Sequence, residues 1–269
     1  MLLILFSAIS LYFSTKKSCI NRILGHDDRT EGAPMNILEL CLSPDYGGLE
    51  IHMRDFSRWL ADRQESQLFL ALERGTRLDE SLKQLQRPTC YFSRAGKFSL
   101  SMAKQLSQFI IEHDIDIVHV HWKNDLPLVA LTKQMCHKKF KFVHTRQMNM
   151  PGKKKGLYHR FIYRSLDLFI AITKYLQRQA EANLPLPPQR IVQIYYGVKM
   201  PEHATPERTA ELKAKFNFQD AFHVGLFGRI DEYKGQHLLL EAIEQLTAEG
   251  LNVDAGIVGA AFDPDYAHA

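Results

Sequence analysis

The sequence has few cysteines, and their spacing shows no pairs. Cys19, Cys41, Cys90 and Cys136 lie far apart, and two of them lie inside apolar runs. Disulfide frameworks and structural zinc sites both depend on matched or closely spaced cysteines. The sequence therefore predicts a reduced, cytosolic chain with neither a disulfide framework nor a zinc site.

The chain also lacks an apolar run of the length that usually crosses a membrane. The N-terminal run, residues 1–13, is shorter than the roughly 20 residues of a membrane-spanning helix. Lys16, Lys17 and Arg22 follow it, whereas a secretory signal carries its positive charge in front. An anchor with this charge order would leave the rest of the chain on the cytoplasmic side. The alternatives for residues 1–34 are a weak anchor and an upstream extension or misassigned start, and the pattern favours the extension.

Length and composition indicate an ordinary globular protein. The 269 residues are 45% hydrophobic and 24% charged, which allows one large domain or two smaller ones. The net charge of +4 is too small to indicate a protein that binds polyanions with its whole surface.

From Met35 onward, predicted strands and helices alternate. This alternation is typical of parallel strands joined by right-handed crossovers, so the predicted fold class is α/β. The predicted strands are 36–42, 67–72, 90–92, 115–120, 140–145, 168–173, 191–195, 223–227 and 253–258, and the predicted helices are 49–63, 99–113, 126–137, 155–166, 175–182 and one that follows Gly235.

The pattern breaks around Pro201 and then restarts. Residues 35–200 form the first predicted domain, and residues 201–220 read as a linker with one short helix. The second domain, residues 221–269, has only two predicted strands and one helix. Because so few elements cannot bury a core, we expect the chain to hold only the beginning of this domain.

A strand, a loop and a helix in the second domain carry two cations. The loop places Arg229 and Lys234 between Gly228 and Gly235. Ligands of open α/β sheets bind outside the carboxyl ends of the strands, and two cations beside a helix N-terminus suit a diphosphate. The alternative is a pair of solvated loop charges.

The first domain has a corresponding glycine pair. Gly47 and Gly48 follow a buried strand and precede a helix, so backbone N–H groups could approach a phosphate closely. The alternative is a tight turn. The pattern is not G-x-G-x-x-G, so dinucleotide binding is unsupported.

Two histidines stand two positions apart on one predicted strand. His119 and His121 therefore point to the same face, which raises the hypothesis of a metal site. No third ligand of suitable spacing accompanies them, so we expect hydrogen-bonded histidines and no metal.

One segment is strongly basic. Residues 138–164 contain no Asp or Glu, and the second half combines a basic loop with a helix that also carries aromatic and aliphatic residues. This combination suits a membrane surface or an anionic, lipid-linked acceptor, although a solvated face is the alternative. No nucleic-acid-binding module accompanies the patch. The cations are Lys138, Lys139, Lys141, Arg146, Lys153, Lys154, Lys155, Arg160 and Arg164.

Several motifs together resemble glycosyltransferase family 4, whose members have the GT-B architecture. The most specific is GRIDEYKG, residues 228–235, followed by a helix and GIVG. DYGGLE (45–50), IVHVHW (117–122) and HTR (144–146) resemble the family's first-domain motifs. YGV (196–198) matches the end of the first domain, except that Tyr196 stands where asparagine is usual. The resemblance runs from about Met35 to the last residue.

The resemblance implies two Rossmann-like domains across a cleft and transfer, with retention, of a sugar from a nucleotide-sugar. The acceptor would be a cell-envelope glycan such as a lipopolysaccharide core. Arg229 and Lys234 would bind the donor diphosphate together with the glycine pair. His144 would lie at the reacting sugar and donate to a hydroxyl or to the departing oxygen.

On the acceptor or membrane side, the charge pattern points to Arg146, Lys153, Lys154 and Lys155. The expected location is cytoplasmic, with possible peripheral contact with the inner membrane. No cofactor and no metal are expected, and the D-x-D patterns at 114–116 and 263–265 are treated as coincidental.

The family's second domain normally continues to two glutamates eight positions apart, and the sequence ends before them. This leaves two alternatives open: a non-catalytic remnant or partner-binding module, and a nucleotide-sugar epimerase of the same architecture. The lysine-glycine signature argues against the epimerase.

Overall fold

The computed structural model describes residues 34–93, 99–197, 203–216, 218 and 221–260. They fall into two compact units that divide between residues 200 and 201. The N-terminal extension lies outside the described residues except for Pro34. Within the described ranges, no helix has both the length and the apolar character needed to cross a membrane.

The first unit alternates strands and helices as predicted, and all of its predicted elements are confirmed to within a few residues. One helix, α2, is additional: the side chain of Thr76 caps it by accepting a hydrogen bond from the Asp79 N–H. The elements are β1 (Met35–Cys41), α1 (Gly48–Ala61), β2 (Ser66–Glu73), α2 (Arg77–Leu82), β3 (Thr89–Phe92), α3 (Leu100–Glu112), β4 (Ile117–Val120), α4 (Leu126–Met135), β5 (Lys141–Arg146), α5 (Leu157–Arg164), β6 (Leu168–Ala171), α6 (Lys174–Asn183) and β7 (Ile191–Gln193).

The strands form one sheet in the order β3-β2-β1-β4-β5-β6-β7, and every pairing is parallel. The predicted α/β class is confirmed. The strand order reverses direction between β1 and β4, and in such sheets the crevice at the carboxyl ends of these two strands is the usual ligand site.

Both faces of the sheet are covered, which explains why its strands are nearly continuous apolar runs. On one face, Leu40 of β1 packs in a cluster with Leu106 of α3. On the other, Cys41 shares a cluster with Met53 and Leu60 of α1.

One acidic residue interrupts the apolar strand β1. Glu39 is fully buried, and the register between β1 and β4 pairs it with His119. A buried carboxylate needs hydrogen-bond donors, and this register supplies them.

The second unit contains α7 (Pro206–Lys215), β8 (Phe222–Phe227), α8 (Gln236–Ala248) and β9 (Val253–Val258). The two strands pair in parallel, and all four elements were predicted. Among the described residues of this unit, the buried side chains are those of Asp231 and Gln236, and none is apolar. Among the described residues, short 3-10 helices lie at Lys83–Leu85, Lys123–Asp125 and Pro188–Arg190 in the first unit and at Glu232–Lys234 in the second.

Candidate functional site at the carboxyl ends of the strands

The glycine pair lies where β1 ends and α1 begins. Gly47 is the N-cap residue of α1, and its N–H donates to Oε2 of Glu50 at 2.8 Å. Gly48 is the first helical residue, and the N–H groups of a first helical turn have no partner within the helix. Within the described part of the chain, no atom other than those of its two chain neighbours and the backbone of α1 lies within 4 Å of the place where a Cβ at residue 48 would stand. The backbone is therefore open to a close approach at Gly48.

The two histidines of the H-x-H pattern share one buried carboxylate. His119 Nδ1 lies 3.1 Å from Oε1 of Glu39, and His121 Nε2 lies 2.5 Å from Oε2. On its other side, His119 Nε2 lies 2.8 Å from the hydroxyl of Thr145 on β5. We call Glu39, His119, His121 and Thr145 the buried network.

The expectation that no third ligand accompanies the histidines is wrong, because Glu39 stands beside both. One potential ligand atom from each of the three residues lies within 4.8 Å of the others. Their spacing fits hydrogen bonds better than a metal: ligands around one zinc ion stand roughly 3.4 Å apart if bonds are about 2.1 Å long. The separations of 2.5 and 3.0 Å from Glu39 are too short for that. The absence of a metal remains a prediction.

The buried network carries negative charge on Glu39. Burial by itself would raise the pKa of this carboxyl, but the electrostatic influence of His119 and the hydrogen bonds from both histidines lower it to about 2. Burial, followed by the influence of His119, lowers the pKa of His121. A neutral His121 that donates from Nε2 carries a lone pair on Nδ1, and this buried atom has no hydrogen-bond partner among the described residues.

His52 and Tyr196 extend this face of the site. Their rings stack at 3.7 Å with an angle of 16°, and His52 also faces His121 at 6.0 Å. Burial lowers the pKa of His52 to about 3 and raises that of Tyr196. Gln147 interacts with the Tyr196 hydroxyl, but outside normal hydrogen-bond geometry, so Tyr196 Oη and Gln147 Nε2 are both buried without a regular partner in the described ranges.

His144 lies at the same edge of the sheet but on the opposite face from the buried network. Side chains alternate along a strand, and Thr145 occupies the face of His119. His144 Nδ1 donates to the carbonyl oxygen of Val120 at 2.8 Å, and burial lowers its pKa to about 3. The ring is therefore neutral at pH 7, with Nε2 as an acceptor. This differs from the predicted donor role, because the donating nitrogen is already used by the backbone.

The basic loop after β5 is tied to its surroundings. Arg146 is buried, and it donates to the carbonyl oxygens of Met148 at 2.7 Å and Asn149 at 2.8 Å. It shapes the loop and does not present its charge to solvent as predicted for the acceptor or membrane side. Lys153 and Lys155 are exposed and Lys154 is half-buried.

In the second unit, Arg229 and Lys234 lie in the loop between β8 and α8, as predicted. Arg229 Nε is 3.8 Å from Oδ2 of Asp231, and the Arg229 carbonyl accepts a hydrogen bond from Gln236 at 2.7 Å. Gly235 ends the loop with φ of 71°, a conformation that glycine adopts without strain. Both cationic side chains are exposed.

The paired ends of β8 and β9 hold this loop. The Gly228 N–H donates to the Val258 carbonyl at 3.0 Å, and the Ile230 N–H to Ala260 at 3.0 Å. A Cβ at Gly259 would lie 1.7 Å from the Gly228 carbonyl oxygen, so only glycine fits there.

Solved structures share this α/β fold. A glycosyltransferase from Rickettsia africae matches with a TM-score of 0.74 at 20% identity, over 87% of this chain and 63% of that one. HepE from Anabaena, solved with UDP and glucose, matches with a TM-score of 0.68 at 22% identity, over 87% and 64%. The lipopolysaccharide outer core galactosyltransferase WaaB matches with a TM-score of 0.57 at 16% identity, over 87% and 63%. The chain thus spans somewhat less than two thirds of these proteins.

The fold is that of GT-B glycosyltransferases, with a seven-stranded first sheet and a two-stranded second sheet in the described residues. The model of Glycosyltransferase Family 4 matches residues 46–200, more than half of the chain. The chain belongs to this family. No curated protein matches its sequence.

Proposed function

We propose that the protein to which this chain belongs transfers a sugar from a nucleotide-sugar donor to a hydroxyl group of a cell-envelope glycan or lipid-linked acceptor, with retention. The observation that carries the proposal is the open backbone at Gly48, which lies at the switch point of a family 4 sheet. The complexes of HepE with UDP and UDP-glucose support a nucleoside diphosphate donor. The resemblance to WaaB supports a lipopolysaccharide core as the acceptor class.

Arg229 and Lys234 would stabilise the leaving diphosphate. As the bond to the anomeric carbon breaks, negative charge grows on the β-phosphate, and fixed cations stabilise this charge more in the transition state than in the ground state. Their exposure in a loop held by Gln236 and the end of β9 leaves both side chains able to meet a ligand. Two cations would perform the charge neutralisation for which other enzymes use a metal ion, so no metal is required.

His144 would position the acceptor. With Nδ1 bound to the Val120 carbonyl, Nε2 can accept a hydrogen bond from an acceptor hydroxyl. A pKa of about 3 makes the ring too weak a base to remove the proton at pH 7. Its contribution would be orientation of the nucleophile.

The loop with Lys153 and Lys155 would face an anionic surface. It carries exposed positive charge next to α5, whose Leu157 side chain is 85% exposed. This combination favours peripheral contact with the cytoplasmic face of the inner membrane.

The diphosphate site is tested by calorimetric titration with UDP, GDP and ADP. The Arg229→Ala/Lys234→Ala variant should bind the preferred nucleotide at least tenfold more weakly, because each charge-assisted hydrogen bond is worth about 1.5–3 kcal/mol. Lys213→Ala/Lys215→Ala removes the same charge from exposed positions on α7 and is the matched control. Equal affinity of the double variant and the control would refute the role of Arg229 and Lys234.

A further inference from the structure

The first unit contains a pocket that is lined by positively charged side chains. Four cations line it: Lys133 of α4, Arg160 and Arg164 of α5, and Arg190 just before β7. Its volume is about 470 Å³, and Asp167 provides the one carboxylate among its lining residues. We call it the amino-edge pocket.

The amino-edge pocket is remote from the carboxyl ends of the strands. Asp167 directly precedes β6 and Arg190 directly precedes β7, so both mark the amino ends of these strands. All strands of the sheet are parallel, so Gly48 and His144 lie at the opposite edge. The pocket is therefore separate from the site proposed for catalysis.

The single carboxylate of the pocket is already engaged. Asp167 Oδ2 accepts the Phe142 N–H at 2.7 Å and forms an ion pair with Lys133. Lys133 also donates to the Ser165 carbonyl at 3.0 Å, and Arg190 donates to the Leu166 carbonyl at 2.9 Å. These contacts fix Lys133 and Arg190 in the lining of the pocket.

Arg160 and Arg164 have no carboxylate partner among the described residues. They are exposed and stand four positions apart on α5, where like charges repel each other. The helix dipole favours Arg164, which lies in the last turn of α5. The helix dipole does not explain why four cations surround one pocket. A bound anion would neutralise their charge.

We propose that the amino-edge pocket binds the phosphate or diphosphate group of a free, small phosphorylated molecule. Planar guanidinium groups match phosphate oxygens in a bidentate fashion, and the volume lies in the range of small-molecule sites. A lipid headgroup has the same chemistry, and the vesicle arm of the test distinguishes it from a free molecule.

The test is a calorimetric titration with inorganic pyrophosphate at low ionic strength. It uses the Arg229→Ala/Lys234→Ala chain, so that the proposed donor site does not contribute to the binding. We expect saturable binding that Arg160→Gln/Arg164→Gln weakens at least tenfold. Lys104→Gln/Lys174→Gln, which removes the same charge from exposed positions outside the pocket, should change the affinity less than twofold.

A parallel arm measures flotation with phosphatidylglycerol vesicles. Loss of vesicle binding in Arg160→Gln/Arg164→Gln, without any pyrophosphate binding by the parent chain, would overturn the free-molecule assignment in favour of a lipid headgroup. Absence of binding in both arms, or equal weakening by the two glutamine variants, would overturn the site altogether. Because nucleotide binding at Arg229 and Lys234 is measured separately, failure here leaves the proposed function standing.

Discussion

Loss of contact with water keeps three imidazoles of the first unit neutral at pH 7: His121 and His144 are buried, and His52 is half-buried. Burial is the largest cause of the lowered pKa of His52, His121 and His144, and for His52 and His144 the lowered value is about 3. Each of these residues must bind a proton when the chain unfolds below its ordinary pKa of 6.5. The residues that build the site therefore also make the fold sensitive to acid.

We expect His52→Phe to reduce this sensitivity. Between pH 6.5 and about 3 the unfolded chain binds a proton at His52 and the folded chain does not, so stability is lost as the pH falls through this window. Phenylalanine can keep the stacking on Tyr196 but cannot titrate. The free energy of unfolding in urea is measured at pH 7, 6, 5 and 4. It should decrease less steeply with falling pH in the variant than in the wild type, and the difference in slope should be at most that of one bound proton.

The comparison with wild type is needed because other groups of the folded chain titrate in or near the same pH range. Burial raises the pKa of Asp125 to about 8, which gives the opposite pH dependence from pH 3.8 to 8 in both proteins. Glu39, with its pKa lowered to about 2, loses its contribution only below pH 4.5. Identical slopes for wild type and His52→Phe would contradict the assignment of a neutral His52 with a lowered pKa.

At the scale of elements, the start of α1 is the part of the site that a single methyl group can test. Gly48 does not have a positive φ, and a Cβ there meets no described atom within 4 Å other than those of its two chain neighbours and the backbone of α1. Gly48→Ala should therefore fold as well as wild type, or be more stable by up to about 1 kcal/mol, because alanine restricts the unfolded chain. The added methyl group would occupy the space through which a phosphate reaches the backbone, so we expect weaker binding of UDP in calorimetry.

The matched control is Gly156→Ala. Gly156 likewise lies at the start of a helix, as the residue before α5, and a Cβ there would meet Nδ1 of His159 at 3.9 Å. Gly156→Ala should leave the affinity for UDP unchanged to within about twofold. If Gly48→Ala bound UDP as tightly as Gly156→Ala, the open backbone at α1 would not be the phosphate contact.

The elements were predictable from local pattern, whereas the buried network was not. Apolar runs and helical periodicity lie within short windows, and they placed Gly47, Gly48 and His144 at the carboxyl ends of strands. The pairing of Glu39 with His119 joins residues 80 positions apart and depends on the β1–β4 register. The available signal was an acidic residue inside a buried strand, which requires donors from a neighbour.

The basic segment, residues 138–164, shows that local sequence pattern is equally limited in predicting where charged side chains lie. Its composition predicted one cationic surface, but the structure divides it. Arg146 is buried and binds the carbonyls of its own loop, Lys153 and Lys155 are exposed, and Arg160 and Arg164 line the amino-edge pocket. A run of like charges in sequence does not indicate which side chains share a surface, because a strand and a helix send them in different directions.

At the scale of the whole molecule, the two units differ in how much apolar surface they bury. The first has fully buried side chains on both faces of its sheet, such as Leu38 and Met53. In the second, Phe222 is 72% exposed, Phe227 79% and Val258 56%. Two strands and one packed helix offer little burial to offset the loss of chain entropy, so the second unit of this chain should open easily.

Hydrogen exchange measured by mass spectrometry on the chain of residues 1–269 tests this difference. Opening free energies within one protein range from near zero to the global value, and elements with few buried apolar contacts lie at the low end. We expect the amides of β8 and β9 to exchange at least about 100-fold faster than those of β1 and β4, which corresponds to about 3 kcal/mol less protection. The central strands of the first sheet serve as the internal reference, because both of their faces are covered. Equal protection of β8 and β1 would show that the second unit is stable without a buried apolar core, and the exposure of Phe222 and Phe227 would then need another explanation.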